Sequence, residues 1–139
     1  PIDAIVDQAL SMGVQKRIDL NFQNGKFFND PWTIKPELIG TPLGRVLEDL
    51  GKIGQARLLR LESGETYTAH TDPDDRIHLP IITNQNCIFK INRQSYNFKE
   101  NEVIEINNQL PHSVYSGDID RIHLICDVLE KDSTTLKER

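Results

Sequence analysis

From Ala56 to Leu129 the chain carries eight short β-type runs, ARLLRL, ETYTAH, RIHLPIIT, NCIFKIN, QSYNF, EVIEIN, HSVYS and RIHLICDVL, with no helical period between them. A strand leaves unpaired N–H and C=O groups along each edge, so eight strands in one short segment must pair and close on one another. The reading is mainly β, a barrel or a double-sheet jelly roll. Glu62-Ser63-Gly64-Glu65, Asn92-Arg93-Gln94 and Ser116-Gly117-Asp118 supply turns, because Gly, Asn and Asp accept the backbone angles that turns require.

The segment before residue 52 reads as support for that core. Ile2, Ile5, Val6, Ala9 and Leu10 fall on one face of a helix over residues 2–12, stopped by Gly13. Asn24-Gly25 between RIDLNFQ and KFFND predicts a hairpin over residues 17–28 with a type I′ turn, whose central residues both need positive φ. Thr41-Pro42 before LGRVLEDLGK predicts a second helix, with Thr41 as cap, Pro42 in first position and Gly51 as stop. One domain over residues 1–139 follows, residues 1–52 supplying helices and hairpin and residues 56–130 the β core. The tail EKDSTTLKER is polar and expected to fray.

Sixteen Lys and Arg against 21 Asp and Glu leave a formal charge of −5, and no basic run stands out, so a nucleic-acid partner is not expected. No stretch nears the ~20 apolar residues of a membrane span, so no membrane partner is expected either. No charged-then-apolar leader opens the chain, which starts at Pro1 rather than Met, and the expected location is the cytoplasm. Cys87 and Cys126, far apart among apolar neighbours, read as buried reduced thiols.

His70-Thr71-Asp72, with His112 a further 40 positions on, is the set richest in chemistry. Residues i and i+2 of a strand share a face, so His70 and Asp72 address one point, and His112, after Leu110-Pro111, opens a strand able to face them. Two imidazoles and one carboxylate with open positions opposite make the facial triad of non-haem Fe(II) oxygenases. A closed four-ligand zinc site would leave no room for oxygen and a co-substrate. The same spacing also suits a loop hydrogen bond between His70 and Asp72, with His112 capping a turn. Arg76-Ile77-His78 and Arg121-Ile122-His123 bear on the choice, since each sets a cation and an imidazole on one strand face and an isoleucine on the other. If the isoleucines pack between sheets, the Arg-x-His faces line the barrel interior; if those faces turn outward, both arginines are solvated charges. A guanidinium buried among Leu, Ile and Cys is costly without an anion. A 2-oxo acid chelating the metal, its distal carboxylate held in an arginine fork, meets that need.

In order along the chain stand H-T-D, R-I-H-L-P, N-F-K-E-N-E-V-I-E-I-N, L-P-H and D-R-I-H-L-I-C-D-V. Over residues 56–130 this order resembles the aspartyl/asparaginyl β-hydroxylase family of Fe(II)/2-oxoglutarate-dependent oxygenases, and it is similar to the bacterial free-proline hydroxylases. The resemblance implies a double-stranded β-helix, the cupin-like jelly roll. It implies His70, Asp72 and His112 as iron ligands, Arg121 as the partner of the far carboxylate of 2-oxoglutarate, and Arg76 with His78 near its metal-bound end. Asp72 is a carboxylate that some animal members lack at this position. The family's polar co-substrate residue falls near Leu59 here, so that contact is either missing or supplied by another group such as Tyr67. The implied activity is hydroxylation of an amino-acid side chain, in an aspartyl or asparaginyl residue of a polypeptide or in a free amino acid such as proline, at the expense of 2-oxoglutarate and O2. The competing functions are a non-oxygenase cupin-type barrel, acting as a metal-binding module or isomerase, and a purely structural protein.

Other residues have plainer readings. His123 reads as a hydrogen-bonded wall residue, and Asp127 as either a ligand-orienting group or the partner of a surface amide. Trp32 reads as core or lid packing, and Asp74-Asp75 and Asp118-Ile119-Asp120 as solvated turns.

Overall fold

The computed structural model describes residues 2–25, 27, 30–72, 74–100 and 102–129. In chain order these form α1 (Ile2–Ser11), β1 (Arg17–Asp19), β2 (Asn21–Gln23), β3 (Trp32–Ile34), a 3₁₀ turn (Pro36–Leu38), α2 (Pro42–Leu50), β4 (Ile53–Leu61), β5 (Thr66–His70) and β6 (Arg76–Ile82). There follow β7 (Ile88–Ile91), β8 (Gln94–Tyr96), β9 (Ile104–Ile106), β10 (His112–Tyr115) and β11 (Arg121–Val128). The strands build a jelly roll from two antiparallel sheets, in the orders β1-β4-β11-β6-β9 and β5-β10-β7-β8, with β2 and β3 as a separate ribbon.

Alternation along the strands divides the five-stranded sheet into two unlike faces. Outward, Leu58, Leu79, Ile81 and Leu124 pack with Ile5 and Ala9 of α1 and Leu43 and Leu47 of α2 in one apolar core. Between the sheets a second core holds Leu61, Phe89, Ile91, Phe98, Ile104, Ile106 and Val114. Ile77 and Ile122 belong to the outer core, so they pack beneath the helices rather than between the sheets, and the Arg-x-His faces line the interior.

Local signals place both helices. Thr41 Oγ1 accepts from the Gly44 N–H at 3.2 Å, Pro42 opens α2, and Gly51 closes it at φ 78°. Gly13, at φ 65°, follows α1, but Leu10 stands 55% exposed and lies off the packed face.

The hairpin expected over residues 17–28 is not seen among the described residues, residues 26 and 28 lying outside them. β1 pairs instead with β4, Arg17 opposite Leu59, and β2 pairs with β3, Phe22 opposite Thr33. Asn24-Gly25 opens a longer connection, in which Asn24 N donates to Pro31 O at 2.9 Å and a Cβ on Gly25 would lie 2.0 Å from the Asp30 carboxylate. The long edge of β4 offered β1 a ladder. Asn21 reinforces that choice, donating to Gly54 O and accepting from Ala56 N, both at 2.8 Å.

One acidic turn differs from expectation at Asp75, whereas Asp118 and Ile119 are exposed as expected. Asp75 is 1% exposed, and Asp120 pairs with Arg60 and accepts from Ser63 N. Cys87 and Cys126 are buried and free, and burial pushes the Cys126 thiol up to about 12. Residues 130–139, expected to fray, lie outside the described residues. Among the described residues no helix is long and apolar enough to cross a membrane.

Candidate metal centre

His70 ends β5 and His112 opens β10, and antiparallel pairing sets them directly opposite one another beside a bulge. Their ring centroids are 4.4 Å apart. Two residues beyond His70, the Asp72 N–H donates to Asn108 O at 2.8 Å, which turns the carboxylate toward both rings. Asp72 Oδ2 lies 3.2 Å from His112 Nε2 and 3.5 Å from His70 Nε2, and one donor atom from each residue lies within 4.8 Å of the other two. Nδ1 of His70 faces Thr68 O at 2.7 Å, and Nδ1 of His112 faces Leu110 O at 2.9 Å. A carbonyl only accepts, so each Nδ1 carries the proton and each Nε2 presents its lone pair toward the shared point. Two imidazole nitrogens and a carboxylate oxygen converging in this way fit a divalent transition metal.

The three residues line a cleft of about 570 Å³ together with Arg121, His78, Phe89, Leu59 and Tyr67. Arg121 is 2% exposed, and its Nε has no hydrogen-bond partner. Burial lowers its pKa to about 10, and among the described residues no carboxylate forms an ion pair with it. A guanidinium buried without a counter-charge is costly to the fold.

Arg76 is engaged on two sides, with Nη1 3.4 Å from Asp72 Oδ2 and Nε 3.1 Å from Asp127 Oδ1. Asp127 also accepts from Arg57 Nη1 at 2.9 Å, so it bridges two arginines instead of pairing with a surface amide. Arg57, only 3% exposed, was not singled out from the sequence. Its signal lay in ARLLRL, where period two puts Arg57 on the same face as Leu59 and Leu61. Burial lowers the Arg57 pKa, against the opposing pull of Asp127. Asn108, also missed, is buried, lines the cleft, and holds Asp72 through both its backbone and a 3.4 Å side-chain contact.

His78 and His123 meet Nδ1 to Nδ1 at 3.1 Å. Burial, reinforced by Arg121, pushes both well below the ordinary histidine range and keeps them neutral. Phe89 meets the His78 ring edge-on at 5.4 Å and stacks on His112 at 6.3 Å, so one aromatic side chain spaces the histidine pair from the triad. Trp32 is half-buried in the β2–β3 ribbon, opposite Gln23.

A family model described as Aspartyl/Asparaginyl beta-hydroxylase matches residues 37–131, more than half of the chain. The chain belongs to this family. The β-hydroxylase match opens in the 3₁₀ turn before α2, ahead of the motifs that begin at residue 56. No curated protein matches the chain. Among solved structures, it is similar to a cupin superfamily protein from Desulfitobacterium hafniense, at 14% identity over 53% of this chain and 66% of that one, with a TM-score of 0.45. An RmlC-like cupin family protein with a double-stranded β-helix fold from Methanocaldococcus jannaschii matches at 10% identity over 53% of this chain and 68% of that one, with a TM-score of 0.45. A DMSP lyase from Ruegeria pomeroyi matches at 16% identity, 59% and 40% coverage, and a TM-score of 0.46. The chain thus spans about two thirds of the two cupins and less than half of the lyase.

Proposed function

We propose that this family member is an Fe(II)- and 2-oxoglutarate-dependent dioxygenase that hydroxylates an amino-acid side chain, either an aspartyl or asparaginyl residue of a polypeptide or a free amino acid such as proline. The observation that carries the reading is the convergence of His70 Nε2, His112 Nε2 and Asp72 Oδ2 in the same cleft as the buried, unpaired Arg121. His70, Asp72 and His112 would hold iron(II). When bound, it supplies the redox chemistry by which one oxygen atom of O2 enters a substrate C–H bond and the other enters succinate, with loss of CO2 from the oxo acid.

The chain's own residues bind, orient and shield. Arg121 offers its guanidinium to the far carboxylate of 2-oxoglutarate, recovering on binding part of the cost of its own desolvation. Arg76 and His78 border the metal-bound end, and Arg76 also braces Asp72. Thr68 O and Leu110 O hold the two ligand rings in one tautomer. Leu59, Phe89, Val114 and Ile125 wall the cleft with apolar surface that excludes water from the reacting atoms.

The test is iron-dependent formation of succinate from 2-oxoglutarate. His70→Ala and His112→Ala should each abolish metal binding and turnover, and full turnover in either variant refutes the assignment. Arg121→Ala should chiefly raise the KM for the oxo acid; an unchanged KM removes Arg121 from that role. Since histidines bind metals in the neutral form, metal affinity should fall in acid.

A further inference from the structure

His78 and His123 meet deep on the inner face of the five-stranded sheet, and both are nearly sealed, at 4% and 1% exposure. Two neutral imidazoles in contact through Nδ1 have one proton between them, so they must be opposite tautomers. Their outer nitrogens lie in unlike places. Nε2 of His78 belongs to a ring that lines the cleft, where a ligand or water can satisfy it in either role. Nε2 of His123 is buried without any hydrogen-bond partner.

That asymmetry decides which ring donates. If His78 donated, His123 would carry its proton on Nε2, a buried N–H without a partner on a ring already under the positive field of Arg121. If His123 donates, the atom left without a partner is a lone pair, which a guanidinium attracts rather than repels.

We propose that His123 is a positioning residue: by donating Nδ1–H to His78 Nδ1 it locks His78 into the Nε2–H tautomer, so that His78 presents a fixed hydrogen-bond donor to an anionic oxygen bound in the cleft. Three cations, Arg121, Arg57 and Arg76, act on His78, and a donor there completes a patch suited to a carboxylate. Identifying that anion as the carboxylate of an oxo acid rests on the function proposed above; the tautomer lock does not.

Long-range ¹⁵N–¹H NMR of the metal-free full chain, labelled on histidine, reads each ring's tautomer, with His78→Gln and His123→Asn assigning the signals. The expected wild-type pattern is His78 protonated on Nε2 and His123 on Nδ1. His123→Asn, whose amide N–H reaches the same position, should preserve the His78 tautomer, whereas His123→Leu should release it to a mixture. Under turnover, His123→Leu should raise the KM for 2-oxoglutarate about tenfold with kcat little changed, and His123→Asn should restore most of that loss. A wild-type His78 protonated on Nδ1, or a tautomer identical in the Leu variant and the wild type, overturns the lock. An equal rise in KM in the Asn and Leu variants overturns the positioning role in favour of packing. Should the tautomers be as expected while the wild type forms no succinate with iron, the lock stands and the oxygenase reading falls.

Discussion

On β4 and β11, adjacent residues serve opposite ends. Ala56, Leu58, Leu124 and Cys126 face the helices, whereas Arg57, Leu59, Arg121 and His123 face the interior. The same backbone ladders carry both rows, so the difference lies entirely in what the side chains bury. The outer row removes apolar surface from water, at roughly 25 cal/mol per Å², and holds the domain together. The inner row buries guanidinium and imidazole groups, which costs stability that Asp127 offsets for Arg57 but no described carboxylate offsets for Arg121. Apolar stability resides on one face and the uncompensated charge on the other; in the function proposed above, the cost at Arg121 is what the oxo acid would recover.

The sharpest way to break this contrast is to damage the outer face and watch the inner one. Leu58, fully buried, should cost about 2–5 kcal/mol as Leu58→Ala, read from the denaturant midpoint, while metal affinity per folded molecule stays at the wild-type value. Loss of metal binding in the folded fraction would show that the two faces are not independent. Asp127→Ala should cost about 2 kcal/mol, because it leaves the buried Arg57 without its acid. A neutral result would mean that Arg57 finds another partner or water. Arg121→Met should act in the opposite sense, stabilising the ligand-free protein by about 1 kcal/mol while weakening oxo-acid binding measured by calorimetry. Destabilisation there would show that Arg121 already has its counter-charge.

The smallest effect is on the pH dependence of stability. His78 and His123 have folded pKa values depressed well below normal, so unfolded histidines take up protons that the folded ones refuse. Their contribution is fully present above about pH 6.5 and is lost as pH falls toward the lower folded values. Replacing both with Leu should therefore flatten the melting temperature against pH below that point, and an unaltered slope would assign the acid sensitivity elsewhere.

Much of this was legible locally. Thr41, Pro42 and Gly51 mark both ends of α2, because capping involves only neighbours in the chain. His70 and Asp72, two apart, turn toward one point, and period two puts Arg76 with His78 and Arg121 with His123 on shared strand faces, which the fold then turns inward. Where competition was non-local, local signals misled. Asn24-Gly25 announced a tight hairpin, yet β1 took the edge of β4, a partner some 40 residues on. Asp75, in an acidic pair that looked solvated, is buried.

Residue order alone was sufficient for a mainly β chain, for its second helix, and for the two histidines and one aspartate able to share a point. Only the folded chain decided that Arg57 meets Asp127, that His78 meets His123, and that Arg121 meets no acid among the described residues. The reason is physical: alternation is a property of consecutive residues, whereas the partner of a buried polar group depends on strand order and register, which join positions 70 and 45 apart.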